Sequence, residues 1–466
     1  MVSFFILSLS CLSCNKLVQI PDPVNSITTE AVFNNSATAR AAIQAIYSDM
    51  SWGGSGLRLF NGAATIFAGM SADELLQFSG SSPFQTNTIL SSTGQIYNFF
   101  WSGSYFDIYL ANSAIEGLQA SNTLPVDTVN QLMGEAKFIR AFNYFYLINI
   151  FGDVPLATTS LWTTTSLLPR ASVEVVYQQI VSDLKEAQGL LISNYSLSNN
   201  ERIRANKWAA TALLARVYLY LGDWANAAEQ AAAVINNGTY SLQNISNPVV
   251  NAVFSKNSPE AILQLQTINN GYFATFEANA ILPSNYPATT TSPFYYLTNQ
   301  LMAAFEPGDY RKKNWIDSFS NATGKYYFPR KYRVRQSTSG NITEYYTLLR
   351  LAEQYLIRAE AEAHGVNGGI TAAIADLNII RSRANLQPLP ATLTQTQALE
   401  AVAQERRNEL FAEWGHRWFD LKRTGQASAV LSAISYKQPW NDNSLMYPIP
   451  INELLANPNL NQNSGY

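Results

Sequence analysis

Apolar side chains return every third or fourth residue through much of this chain, the spacing of a helix with one buried face. Between Asn206 and Asn236, Trp208, Ala212, Ala215 and Leu219 fall at i, i+4, i+7 and i+11. Gly222-Asp223 interrupts the pattern, and Ala225, Ala228, Ala232 and Ile235 then mark a second helical face. Small alanines on facing helices let the two backbones approach closely. A second hairpin is predicted from Leu348, Leu351, Ala352, Tyr355, Ala359 and Ala363, followed by Ile370, Ala373, Ile374, Leu377 and Ile380. A third pairs Met133–Phe151 with Val173–Leu191 across a loop holding Gly152, Asp153 and Pro155. Asn98–Gln119 reads as a further long helix. Phe138 to Phe151 is mostly apolar but carries Arg140, Asn143 and Asn149, so a buried helix explains it better than a membrane span.

The first hairpin, with its Gly-Asp-aromatic turn and Ala-rich second helix, resembles a tetratricopeptide (TPR) unit. The spacing between hairpins is irregular, so insertions separate the repeats. The longest insertion, about residues 243–346, is rich in Asn, Ser, Thr, Pro and aromatics, and helical periodicity fades there. Tyr326 to Arg335 alternates enough to predict a strand. Gln77–Gln95 is a shorter stretch of the same character. Loop-rich segments on a rigid scaffold are where binding usually sits.

Composition narrows the function. Apolar residues are 47% and charged residues 14%, with a net charge of −3. Disorder needs low hydrophobicity and high net charge, and nucleic-acid binding needs a basic excess; neither fits. The chain has 2 Cys, Cys11 and Cys14, and 2 His, His364 and His416. A disulfide within the later body and a His-rich metal site are both excluded by counting, and no metal or cofactor is expected. Val2 to Leu12 has the length of a signal-peptide apolar core, and Leu12-Ser13-Cys14 places a small residue before a cysteine. Cys14 is therefore the expected lipidation site, with Cys11 as the fallback, and Asn15 to Asn25, carrying Pro21 and Pro23, reads as a tether.

Five blocks in order resemble the RagB/SusD family of outer-membrane nutrient-uptake lipoproteins. They begin at Cys14-Asn-Lys-Leu-Val-Gln-Ile-Pro and Gly134-Glu-Ala-Lys-Phe-Ile-Arg-Ala-Phe-Asn-Tyr-Phe-Tyr. They continue with Leu349-Arg-Leu-Ala-Glu-Gln-Tyr-Leu-Ile-Arg-Ala-Glu-Ala-Glu362 joined to Asp376–Ala384, and with Glu405-Arg-Arg-Asn-Glu-Leu-Phe-Ala-Glu-Trp-Gly-His-Arg-Trp-Phe-Asp-Leu-Lys-Arg. The last is Tyr447-Pro-Ile-Pro-Ile-Asn-Glu-Leu with Asn457–Tyr466. The resemblance implies a mainly α fold of about four TPR-like hairpins, with a loop-rich insertion carrying short strands. It implies a lipid anchor at the outer membrane, with the protein facing the cell surface as is usual in the family. It also implies a TonB-dependent, SusC-like transporter as partner and an oligosaccharide or peptide as ligand. The expected organisation is a signal peptide over 1–14, a tether over 15–30 and a single domain over 31–466. Within that domain, 31–242 is the TPR-rich half, 243–346 the ligand-facing insertion and 347–466 the C-terminal hairpin with the closing family blocks.

An enzyme reading has to find its chemistry. Glu405, Glu409, Glu413, His416, Arg417 and Asp420 crowd one helical block, and Glu413 with His416 has the Glu-x-x-His spacing of di-iron bundles. That site needs a second copy, and Ala361 stands three residues before His364. An ion-paired helix, with Arg406, Arg407 and Arg417 partnering the carboxylates, is expected instead. Asp73-Glu74 is read as capping or packing, Gly53–Gly56 as a flexible loop, and Arg330–Arg335 as a solvated strand face. No nucleophile elbow, zinc-protease or nucleotide-binding motif is present. The expected protein is a non-catalytic binding lipoprotein. The alternative is a secreted glycoside hydrolase on a TPR scaffold, and a TPR adaptor for other proteins is the third reading.

Sugar rings offer apolar C–H faces and polar edges, so a site for them combines flat aromatics with amides or hydroxyls. The candidates are Phe84 beside Asn87, and Tyr272, Tyr286, Tyr295, Tyr296 and Trp315 in the long insertion, with Asn270 and Asn299 nearby. At least one of Tyr295, Tyr296 and Trp315 is expected to stack on ligand. Trp101, Trp208 and Trp418 are expected in the core.

Overall fold

The helices start and stop where local chemistry requires. Asn206 accepts a hydrogen bond from the Ala209 backbone N–H at 3.0 Å, capping a helix that ends at Gly222, whose φ of 71° a side chain would resist. Asp223 then caps the next helix through the Asn226 N–H at 3.2 Å. One dipeptide therefore closes one helix and opens its partner. The structure, a computed structural model, describes residues 29–52, 56–267 and 273–466. Cys11, Cys14, the tether as far as residue 28, Gly53 to Ser55, Asn270 and Tyr272 lie outside the described residues.

The principal helices, in chain order, are α1 (Ser36–Trp52), α2 (Ser102–Ala120), α3 (Val126–Phe151), α4 (Val173–Leu190), α5 (Lys207–Leu221) and α6 (Trp224–Asn236). They are followed by α7 (Leu351–Ala363), α8 (Gly369–Arg383), α9 (Gln395–Glu409) and α10 (His416–Arg423). From α2 to α6 each helix packs on the next. The chain then leaves for the long insertion, and α7 packs directly back on α6 before α8 and α9 continue the stack. The insertion is thus looped out of a helical array that closes up beneath it. All three predicted hairpins and the further long helix are present, α2 being preceded by a π-helical turn over Ile96–Trp101.

Helix α3 is the spine. Every residue from Gln131 to Ile148 is buried, which its nearly continuous apolar character demands. Its charges are matched inside: Glu135 with Arg204 at 2.7 Å and Arg140 with Asp183 at 2.6 Å. No helix among the described residues is long and apolar enough to cross a membrane.

The strands are short and pair antiparallel. Besides a two-residue pair, Val154–Pro155 with Arg170–Ala171, they are β1 (Leu75–Gln77), β2 (Ala261–Leu265), β3 (Tyr295–Leu297), β4 (Ile316–Asn321), β5 (Gly324–Pro329) and β6 (Tyr346–Arg350). β1 pairs with β3, β2 with β6 and β4 with β5. β2 and β6 are wholly buried, and β6 runs straight into α7. The insertion is therefore clamped to the core through β2 and β6. The fold is mainly α with short strands, as the sequence predicts.

Two expectations need correction. The strand predicted over Tyr326–Arg335 stops at Pro329, because proline cannot donate to the ladder. The basic stretch after it is not a solvated strand face. Lys331 is 2% exposed and is ion-paired with Glu413, while Arg333 donates to the backbone oxygens of Pro248 at 2.8 Å and Asn314 at 3.2 Å.

Candidate functional site

Beneath the insertion lies a buried ionic network. Arg350 reaches Glu260 at 3.0 Å, Glu409 at 2.6 Å and Glu413 at 2.8 Å. Arg311 joins Asp309 and Glu405, both at 2.8 Å, and Arg381 holds the other side of Glu405 at 2.6 Å. Arg383 pairs with Glu260 at 2.8 Å and with Glu409. Glu409 is buried, yet the guanidiniums of Arg383, Arg350 and Arg311 overcome its desolvation and hold its carboxyl well below the usual range. The expected ion-paired block is real: Arg406 has an expected partner, while Arg407 and Arg417 have others. Arg406 pairs with Asp420 at 2.8 Å, and Arg407 and Arg417 clamp Asp73 at 2.6 and 2.7 Å. The glutamates of α9 are instead neutralised by arginines distant in sequence. His416 is buried, and desolvation with the nearby Arg216 and Arg406 charges holds its pKa well below the ordinary value. No group of three or more His, Cys, Asp or Glu side chains able to hold a metal occurs among the described residues.

Over this rigid base sits an aromatic cluster. The β1–β3 register sets Leu76 opposite Tyr296 and Gln77 opposite Tyr295, and the Phe78 N–H extends the ladder to the Phe294 carbonyl at 2.9 Å. Strand alternation sends Tyr295 and Tyr296 to opposite faces. Tyr296 meets Tyr326 of β5 edge to face, with ring centroids 5.2 Å apart at 85°. Phe78 packs on the same Tyr326 at 4.9 Å and on Phe319 of β4 at 5.9 Å. Such tilted pairs lock ring orientation. Phe294, 58% exposed, stands at the rim. Tyr436 comes from the C-terminal block, where burial first, and then the Asp73 and Tyr296 charges, raise its phenol above the ordinary value.

The tyrosines differ in what their hydroxyls do. Tyr326 shares a hydrogen bond of 2.9 Å with Thr323, and Tyr286 donates to Asp317 at 3.3 Å. The hydroxyls of Tyr295 and Tyr296 have no hydrogen-bond partner among the described residues, and both rings are half-buried. Burial raises both phenols above their ordinary pKa, so they remain neutral donors and acceptors near pH 7. Fixed rings with free hydroxyls on a partly exposed face can stack on a sugar and hydrogen-bond its edge.

The other sequence candidates fall elsewhere. Phe84 is fully buried, 4.6 Å from the Phe67 ring and 5.4 Å from that of Tyr447. Asn87 is buried too: its amide donates to the Ser71 carbonyl at 3.2 Å, and its oxygen accepts from Lys437 at 2.5 Å. These two residues support β1 from behind, where Gln85 accepts a hydrogen bond from the Gln77 N–H at 3.2 Å. Trp315 is 2% exposed. Its faces are taken by Phe254 at 5.6 Å and the Lys331 ammonium at 4.8 Å. Trp101 and Trp418 are in the core and Trp208 is half-buried. Phe78, Phe319, Tyr326 and Tyr436 escaped the sequence reading as ligand candidates. Phe78 adjoins the Ser79-Gly80 loop and Tyr326 lies in an alternating run, so both carried a signal; Tyr436 carried none.

A scan of protein families matches residues 65–219 to the family described as "Starch-binding associating with outer membrane" and residues 276–466 to the SusD family. The chain belongs to the SusD family. It is 27% identical to a SusD-like protein of Formosa agariphila over all of this chain and 99% of that one. It is 25% identical to the starch-binding protein SusD of Bacteroides thetaiotaomicron, covering 75% of each. A solved laminarin-binding SusD-like protein superposes with a TM-score of 0.75 at 28% identity, over 93% of this chain and 100% of that one.

Proposed function

We propose that this protein is a non-catalytic capture protein for oligosaccharides, anchored at the outer membrane through a lipid on Cys14. We further propose that it hands its ligand to a TonB-dependent, SusC-like transporter. The observation that carries this reading is the Tyr296 cluster: oriented rings with a free hydroxyl, half in water, in a family described as starch-binding. Tyr286, Tyr295 and Tyr296 are the proposed ligand contacts. The two carboxylates just before β1 are unsuited to hydrolysis. Asp73 is clamped by two arginines. Glu74 is buried against the Ala412 N–H at 3.3 Å, where desolvation and the Asp73 charge push it up to about 8. A glycosidase needs a carboxyl pair flanking an accessible bond.

The decisive experiment presents the purified protein to a glycan and peptide array and follows the best ligand by titration calorimetry. Binding of a glycan, with Tyr296→Ala weaker and no hydrolysis product, is the expected result. Binding of peptides alone would redirect the ligand class. Turnover lost on replacing one carboxylate would replace capture by hydrolysis. Incorporation of an alkyne fatty acid that Cys14→Ala abolishes tests the anchor. Recovery of a SusC-like barrel by mild-detergent pull-down from native membranes tests the partner.

A further inference from the structure

A separate cleft of about 340 Å³ opens along α2, sharing no residue with the Tyr296 cluster. Its wall is a column of aromatics one helical turn apart: Tyr97, Trp101, Tyr105 and Tyr109. The column begins in the π-helical turn over Ile96–Trp101, a distortion that occurs often at functional sites. The inner rings are fixed. Trp101 lies 5.0 Å from Tyr105 and 5.0 Å from Phe151, and the Tyr105 hydroxyl donates to the Pro155 carbonyl at 2.8 Å. Tyr109, at the far end, is 49% exposed. Thr165 lines the cleft, and Trp162, three residues earlier on the same short helix, is 75% exposed.

Facing the column from the C-terminal segment is Glu453. Its carboxyl is half-buried and raised by desolvation, the Trp101 indole opposing that rise, and no cation contributes. An unpaired carboxylate in a cleft repels anions and accepts hydrogen bonds from neutral hydroxyls. Aromatic edges beside it suit the C–H faces of the same ligand. The volume is at the small end for a ligand site, enough for a short stretch of a chain. A free cation would meet a single carboxylate and mostly apolar walls, a poor set for a metal.

We infer that the α2 cleft is a second binding site for neutral sugar, with Tyr109 as the stacking ring and Glu453 as the hydroxyl acceptor. The inference rests on the glycan-capture reading, and its test separates the two. Laminarihexaose and maltoheptaose are titrated into the purified protein, into Tyr109→Ala with Glu453→Gln, and into Tyr296→Ala. Two sites per chain are expected in the unaltered protein. Either altered protein should keep one site, the cleft double variant losing a site whose affinity falls about tenfold or more. Circular dichroism confirms folding of each variant; should the double variant unfold, Tyr109→Ala alone replaces it, and its retention of both sites at unchanged affinity would overturn the assignment. A single site, abolished by Tyr296→Ala and untouched by the cleft variant, overturns the second site and leaves capture standing. No binding of either sugar, nor of any glycan on the array, overturns both. Loss of transporter co-purification in the cleft variant with glycan stoichiometry unchanged would make the cleft a protein contact and likewise overturn the proposal.

Discussion

Around Arg350, charged groups are taken out of water and matched against one another; on the strand beside Tyr326, the hydroxyls of Tyr295 and Tyr296 are left half in water with no partner among the described residues. The first arrangement joins β6, α8 and α9 to the start of the insertion through Glu260. The second sits on β1 and on three strands of the insertion, β3, β4 and β5, each of three to six residues. Buried ion pairs seldom add net stability over apolar packing, but losing one partner is severe because the others stay buried and charged. They therefore specify one arrangement. The aromatic face has the opposite property: its free groups cost little in water and gain on meeting a ligand. With the aromatic face as the proposed site, the rigid polar core would hold it in place.

The strongest way to break this comparison is Arg350→Ala. It would leave Glu260, Glu409 and Glu413 in the interior with one cation too few, Arg383 and Lys331 remaining, and a loss of about 3–5 kcal/mol in urea unfolding is expected. A loss below about 1 kcal/mol would show the network to be dispensable. Gly415→Ala comes next. Gly415 has a φ of +71°, and an added Cβ would lie 2.6 Å from the Ala68 Cβ. A loss of about 2–3 kcal/mol is expected, with ligand affinity of the folded fraction unchanged.

Glu74 tests the border between the regions through pH. Its folded pKa, about 8, exceeds its ordinary 4.5. Between those values the unfolded chain binds fewer protons at this group, so its contribution to stability declines as pH rises from about 4.5 to 8. Unfolding titrations of the unaltered protein and Glu74→Gln should therefore diverge by about 1–3 kcal/mol across that window, Gln becoming relatively more stable. Parallel curves would mean that Glu74 stays ionised. The smallest effect expected is that of Tyr296→Ala: about tenfold weaker glycan binding with under about 1 kcal/mol change in stability. A large stability loss with unchanged affinity would place Tyr296 with the core instead.

Much of the scaffold was legible because helices are local. The period of Trp208, Ala212, Ala215 and Leu219, and the break at Gly222-Asp223, are decided within a few residues. The site was legible only in part. Tyr295, Tyr296 and Trp315 look alike in sequence, each an aromatic in a loop-rich stretch. Trp315 is covered by Phe254 and Lys331, contacts that no local pattern encodes. Phe84 likewise disappears under Tyr447, over three hundred and fifty residues away in the chain.

The sequence by itself determined the helical hairpins, the irregular repeat, the loop-rich insertion and the absence of a histidine-based metal site, because periodicity, turn chemistry and residue counts act locally or not at all on geometry. Only the tertiary structure decided which arginine neutralises which glutamate, which aromatics are walled in, and that Phe78, Tyr296, Tyr326 and Tyr436 converge. Those outcomes depend on chain segments brought together across hundreds of residues. There the free energy is set by burial and by Coulomb interactions in a low-dielectric interior, which depend on distance in space rather than on distance along the chain.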